Sequence, residues 1–349
     1  MTTAHRSPRA LTTVPRLVAE GLAGPADVPA LEQVGEAFRI RLSPAMRAAI
    51  KAPGDPVARQ FVPDAQELTI RAEELADPIG DDTHLAAPGL THRYPDRVIL
   101  AVTKSCEVYC RFCFRRETVG DSGPLAEPDL AAALGYIART PAVREVILTG
   151  GDPLSLSPRR IEAILTRLAA IPSVEVVRIH SRVPVVAPDR IDPAMVAALA
   201  AHPCLWLALH TNHAQELTAE ARAALARLTA AGIPLLSQTV LLKGINDSAE
   251  ILADLFRALI RAKVKPYYLH HCDLAPGTSH FRTTIAEGQA IMASLRGRIS
   301  GTCLPAYVLD IPGGFGKVPL TPDYVTPMAP GRYRVRDPQG RLHDYADPV

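Results

Sequence analysis

The sequence predicts an α/β protein built on a partial (βα)6 TIM-type barrel, with a mostly helical segment before it and a short extension after it. Short apolar or β-branched runs recur at 98–103, 145–149, 175–179, 205–210, 234–240 and 265–270. They are continuous rather than alternating, as in strands of a parallel sheet covered on both faces. Amphipathic stretches at 129–140, 159–170, 195–201, 216–231 and 249–263 separate them, so the order is βα repeated, with right-handed crossovers. Polar residues gather where the runs end: Lys104-Ser105, Gly150-Gly151-Asp152, Ser181-Arg182, His210 with Asn212, Gln238, and 270–273. Barrel enzymes place their chemistry at those carboxyl ends, which favours a barrel over an open doubly wound sheet.

Residues 1–88 show helical periodicity at 15–20 and 30–38 and carry no legible chemistry. Residues 89–300 form the predicted barrel core. Residues 301–349 add a strand at 306–310, a glycine-rich loop and a polar tail, after a helix at 283–295. The 32 prolines fall mainly between periodic segments and punctuate loops. At 349 residues with 48% hydrophobic and 21% charged side chains, the chain can bury a large core. Lys+Arg 38 against Asp+Glu 36 leaves +2 with no run of like charge, which indicates neither a nucleic-acid groove nor a polybasic membrane patch. No apolar run reaches the roughly 20 residues of a membrane span, and the first thirty residues lack a signal-peptide core. A cytoplasmic protein acting on small molecules is expected.

Six cysteines are too sparse for a disulfide scaffold, and three crowd into the loop after the first run as Cys106-x-x-x-Cys110-x-x-Cys113. A structural zinc site closes a tetrahedron with four Cys or His, usually as two short-spaced pairs, and no second pair is present. An iron–sulfur cluster fits better, because three thiolates would leave one iron open for a ligand. Cys204, Cys272 and Cys303 sit in or beside apolar segments and read as structural thiols. Gly150-Gly151-Asp152 would let backbone approach a ligand, although Gly-Gly-Asp is also ordinary turn chemistry. Pro312-Gly-Gly-Phe-Gly-Lys317 fails the phosphate-loop pattern, since Ile311 stands five before Gly316 and Val318 follows the lysine.

These stretches resemble the lysine 2,3-aminomutase family of radical S-adenosylmethionine enzymes. The likeness runs over roughly 90–325, through the cysteine loop with Phe114-Arg115-Arg116, Ser181-Arg-Val-Pro184, Gln238 to Asp247, Tyr267 to Asp273 and Asp310 to Lys317. It implies a radical S-adenosylmethionine type of barrel, with Cys106, Cys110 and Cys113 holding a [4Fe-4S] cluster. The open iron would chelate S-adenosyl-L-methionine, and electron transfer into the sulfonium would release a 5′-deoxyadenosyl radical. Gly150, Gly151, Asp152, Ser181, Arg182 and His210 would contact that ligand. Lys317 would form the Schiff base with pyridoxal 5′-phosphate, with Arg93 and Arg97 at the phosphate and Gln238 as a further contact. The arginines could equally pair with Asp96 or solvent.

The resemblance also implies a substrate, L-lysine, with Arg115 on its α-carboxylate and Asp273 and Asp310 on its ε-ammonium, and β-lysine as product. Each charge-assisted contact is worth about 1.5–3 kcal/mol, which argues against a substrate ending in a carboxylate. Departures from the family pattern are Glu117, Phe315, His270-His271 and Ser248. Ser248, with the short tail, argues against a zinc-linked tetramer while leaving other homo-oligomers possible. The expected electron donor is a reductant such as flavodoxin or ferredoxin. Length points to the branch that makes β-lysine for elongation factor P, whereas the motifs point to free lysine. The alternatives are a relative acting on another amino acid and, from a different class, a zinc-stabilised binding module.

Overall fold

In the computed structural model, which describes residues 9–120 and 122–348, the chain builds one ten-stranded sheet and a separate three-stranded one. The large sheet runs in chain order: β1 (Leu85–Ala87), β2 (Leu90–Tyr94), β3 (Arg97–Thr103), β4 (Glu145–Gly150), β5 (Val176–Ser181), β6 (Leu205–His210), β7 (Leu235–Val240), β8 (Val264–His270), β9 (Ala306–Ile311) and β10 (Gly316–Pro319). Strands β3 to β9 are parallel, and β1, β2 and β10 add antiparallel edges. β1 and β10 are the two edges of the sheet and do not pair, so the barrel is partial. The six predicted barrel strands and the seventh at 306–310 are all present.

Helices Glu127–Ala138, Pro158–Ala169, Pro193–Leu199, Ala219–Ala230 and Ala249–Arg261 connect the parallel strands. Their starts are written locally: Ser157, Asp192, Thr218 and Ser248 each accept from an amide in the first turn. Their inner faces follow the helical period, as with Ile161, Ile164, Leu165 and Leu168, all buried. Each such side chain contributes about 1.5–3 kcal/mol relative to exposure. The helix expected at 216–231 begins only at Ala219, because Thr218 caps it and Glu216 is buried in a polar network instead.

Strands β1, β2 and β10 were not expected, and neither was the meander β11 (Val325–Ala329), β12 (Arg332–Arg336) and β13 (Leu342–Ala346), which replaces the polar tail. Loop 78–84 and the β9–β10 turn meet across the open side of the barrel. The Gly313 amide donates to the Pro78 carbonyl at 3.3 Å and His84 Nε2 lies 2.9 Å from the Gly314 carbonyl. The Lys317 amide donates to the Tyr94 hydroxyl at 2.9 Å. Among the described residues no helix is long and apolar enough to cross a membrane.

Candidate active site

The cysteine loop leaves the carboxyl end of β3 and is held by the turn after β4. The Gly151 amide donates to the Thr103 carbonyl at 2.6 Å and the Asp152 amide to the Ser105 carbonyl at 2.8 Å. A Cβ at Gly150 would lie 2.4 Å from the Thr103 oxygen, and one at Gly151 2.3 Å from the Ser105 oxygen. The two glycines therefore let the cysteine loop dock on the sheet.

Cys106, Cys110 and Cys113 are free thiols whose burial raises each above the ordinary range, Cys113 to about 11. Metal loading must therefore displace protons. Among the described residues no three His, Cys, Asp or Glu side chains converge as ligands of a single metal ion. A cuboidal cluster makes a different demand, one thiolate on each of three irons. Cys272 and Cys303 are buried, and Cys204 is partly so.

Asp152 is buried with both carboxylate oxygens engaged: Oδ1 by Ser181 Oγ at 2.7 Å and the Leu154 amide at 3.1 Å, Oδ2 by the amides of Arg182 at 2.7 Å and Val183 at 3.1 Å. It ties the end of β5 to the end of β4. Arg182 donates to Glu216 at 2.7 Å, to Gln60 at 2.5 Å and to Cys110 Sγ at 2.8 Å. These residues shape the wall around the thiols. His210, in contrast, keeps a buried Nε2 with no partner among the described residues, and burial followed by the Arg182 charge holds its ring neutral. An orphaned polar atom facing the cavity is what a bound ligand would satisfy.

The glycine-rich segment is a tight β-hairpin turn. Gly313 and Gly314 both sit at φ +85°, and a Cβ on Gly314 would meet the His84 ring at 2.9 Å. The turn fixes a register in which Lys317 faces Asp310 directly across the strands. Lys317 Nζ pairs with Asp310 and lies 3.3 Å from His270 Nδ1 and 5.4 Å from the Tyr268 ring. Asp310, although burial opposes its charge, is held below the usual carboxylate range by His270 and Lys317. Asp273 makes no ion pair among the described residues, although the charges of Lys317 and Arg115 reach it. Burial first, then the charge of Asp310, push it up to about 7.

Arg115 donates from Nε and Nη2 to one oxygen of Asp81 at 3.0 and 2.7 Å, and from Nη1 to Thr149 Oγ1 at 3.3 Å. Arg93, on β2 rather than ahead of the first strand, reaches the Ile79 carbonyl at 2.5 Å and the other Asp81 oxygen at 3.4 Å, and its buried Nε has no partner. Arg97 pairs with Asp96 at 2.8 Å and stacks on Tyr94 at 3.8 Å. Gln238 Nε2 lies 3.0 Å from His180 Nε2.

The three cysteines, Arg93, Arg97, Arg115, Gly150, Gly151, Asp152, Ser181, Arg182, His210, Gln238, Asp273, Asp310 and Lys317 all line one cavity of about 680 Å³, within the range of ligand clefts. Sequence reasoning missed Asp81, Tyr94, Arg178, His180, Tyr267 and Tyr268. A signal existed for two of them, since Arg178 and His180 interrupt an apolar strand run. Both face the cavity, where burial keeps His180 neutral.

Residues 100–256 match the family model of the Radical SAM superfamily, and residues 292–349 match that of Lysine-2,3-aminomutase. The chain is 45% identical to the L-lysine 2,3-aminomutase of Clostridium subterminale over 300 residues, 85% of this chain and 72% of that protein. The chain belongs to the lysine 2,3-aminomutase family. The enzyme of that name from Fusobacterium nucleatum subsp. nucleatum is 43% identical over 316 residues, 90% of this chain and 74% of the relative. The glutamate 2,3-aminomutase of Clostridioides difficile is 35% identical over 315 residues, 89% of this chain and 74% of the relative. As a member of the lysine 2,3-aminomutase family the protein is an isomerase of the radical S-adenosylmethionine type, a superfamily that works with a [4Fe-4S] cluster and S-adenosylmethionine.

Proposed function

We propose that the protein moves the α-amino group of L-lysine to the β-carbon, using pyridoxal 5′-phosphate bound at Lys317 besides the cluster and S-adenosylmethionine. The observation that carries the substrate is the pair of partly buried carboxylates, Asp273 and Asp310, in one cavity with Lys317. Asp310 pairs with Lys317, while burial and then the charge of Asp310 raise Asp273 to about 7, against the opposing pull of the Lys317 and Arg115 charges. A substrate bringing an ammonium to that end restores charge balance. One bringing a carboxylate, such as glutamate, adds a third buried anion.

The residues fit the absent groups on their own chemistry. Cys106, Cys110 and Cys113 would hold the cluster, with the Arg182 guanidinium beside Cys110 favouring its thiolate. The orphaned His210 Nε2 faces the room left for S-adenosylmethionine. Arg93, with its free Nε, and Arg97 would neutralise a phosphate near Lys317. When bound, these groups supply the hydrogen-abstracting radical and the conjugated ring across which nitrogen migrates.

The chain's residues position and exclude. Arg115, aligned by Asp81, would take the α-carboxylate, and Asp273 with Asp310 would take the far end of the substrate. Asp310 first holds the Lys317 ammonium, so the same carboxylate orients the lysine before loading and is released for substrate afterwards. Neutral His180 and His270 add no competing charge. The test compares wild type with Asp273→Asn and Asp310→Asn on lysine and on an analogue lacking the ε-ammonium. A neutral amide no longer offsets the ammonium's desolvation, so kcat/KM for lysine should fall by about 1–3 kcal/mol more than for the analogue. Equal losses on both would make the aspartates structural and remove the argument for lysine.

A further inference from the structure

A second cavity, of about 540 Å³, shares no lining residue with the first. Its lining includes Arg59, Arg71, Lys243 and His280, against one carboxylate, Asp247. Arg71 and Lys243 are exposed, and among the described residues neither they nor Arg59 forms an ion pair, although Glu73 lies within electrostatic reach of Arg71 and Glu287 of Lys243. Leu68 and Ile70, 39% and 55% exposed, flank the same stretch of chain. The concavity is therefore basic with an apolar margin.

Ring contacts link the linings of the two cavities. Phe112, Leu242, Ile245, Cys272 and Phe281 form a small core of their own, with Cys110 packed against it. His280 lines the basic cavity and its ring lies 4.0 Å from that of Phe281. Phe281 meets Phe112 edge-on at 6.2 Å, and Phe112 stands between Cys110 and Cys113 in the cluster loop. Polar contacts run parallel to this chain: Arg59 precedes Gln60, which accepts from the Arg182 that reaches Cys110 Sγ. Both ring nitrogens of His280 are without a partner among the described residues.

We propose that this basic concavity is the docking face for an acidic one-electron carrier protein, which reduces the cluster through the His280–Phe281–Phe112 wall. The proposal rests on the function above only for the presence of a cluster that must be reduced. One electron leaves the reduced carrier and enters the cluster, with no bond made or broken. The substrate cavity is the one the cofactors would fill, whereas the basic concavity shares no lining residue with it and reaches the cysteine loop through Phe281 and Phe112. Positive charge there steers an acidic partner and makes its encounter salt-dependent. A small interface suffices for such transient redox contacts.

The test uses the anaerobically reconstituted full chain and its double variant R71E/K243E, neither position touching the active cavity. Cluster reduction is followed by the paramagnetic signal of the reduced cluster, without lysine, so the result does not depend on the substrate. The donors are flavodoxin hydroquinone and photoreduced deazariboflavin, a small uncharged reductant. Reduction by flavodoxin should slow about tenfold or more in the variant, and the wild-type rate should fall as salt rises. Iron content and reduction by deazariboflavin should stay within about twofold. Equal rates with flavodoxin in both proteins, or the same slowing with both donors, would overturn the proposal. Saturable binding of inorganic phosphate at this cavity, with flavodoxin rates indifferent to the charge reversal, would make it a small-anion site and overturn it as well.

Discussion

At Asp273, burial and the Asp310 charge raise the carboxyl from 3.8 to about 7 in the substrate-free protein. The folded state thus binds that proton more tightly than the unfolded chain, so stability falls as pH rises from about 4 through 7 and then levels off. Asp273→Asn removes the conflict. It should stabilise the cofactor-free protein at pH 8 by on the order of 2 kcal/mol, with the gain fading toward pH 4, as denaturant melts at the two pH values would show. A difference independent of pH would mean that Asp273 is not a strained acid. Replacing Cys106, Cys110 or Cys113 by Ala should remove iron and sulfide, while Cys204→Ala keeps both. Lys317→Ala should remove the pyridoxyl-lysine found by peptide mass after borohydride reduction, and an adduct on Lys243 or Lys265 would contradict the assignment. The cysteines and Lys317 were legible because spacing and a short motif carry them. Asp81 was not: its two arginines are 12 and 34 residues away, and nothing local marks a carboxylate as the bridge between them.

The elements that position these residues depend on glycines with specific neighbours. Gly151→Ala pushes a Cβ to 2.3 Å from the Ser105 oxygen, so it should displace the cysteine loop and lower iron content even though no ligand is changed. Normal iron with weakened S-adenosylmethionine binding would instead make the turn a ligand contact alone. Gly314→Ala combines φ +85° with a 2.9 Å approach to His84. It should cost about 1–3 kcal/mol and reduce pyridoxal loading while leaving the cluster intact, as melts and iron analysis would show. The parallel strands and their helices were legible because burial on both faces or on one stripe imposes a hydrophobic period. β1, with three residues, is too short to show one, and β10 lies in a four-residue hairpin arm. In β11 and β13 every residue is exposed, so no alternation marks them, and the meander reads as a polar tail.

Over the whole molecule, the open barrel places the cysteine loop after the first of its parallel strands and the lysine hairpin after the last, and loop 78–84 ties the two sides of the gap together. The barrel was legible from the βα period and from polar residues at the strand ends. The closure of its gap was not, since it is made by hydrogen bonds between side chains and backbone groups about 230 positions apart. This arrangement brings Arg115 and the Asp273–Asp310 pair into one cavity, and from it follows the central claim, that the enzyme selects an amino acid with a distal cation. The direct measurement is competition. The anaerobically reconstituted protein, given its reductant, S-adenosylmethionine and pyridoxal phosphate, receives equal concentrations of L-lysine, L-arginine, L-glutamate and L-alanine, and β-amino products are followed by mass and NMR. β-Lysine should form first and in large excess over β-glutamate. β-Glutamate as the main product, or lysine left unchanged while another substrate is converted, would contradict the account.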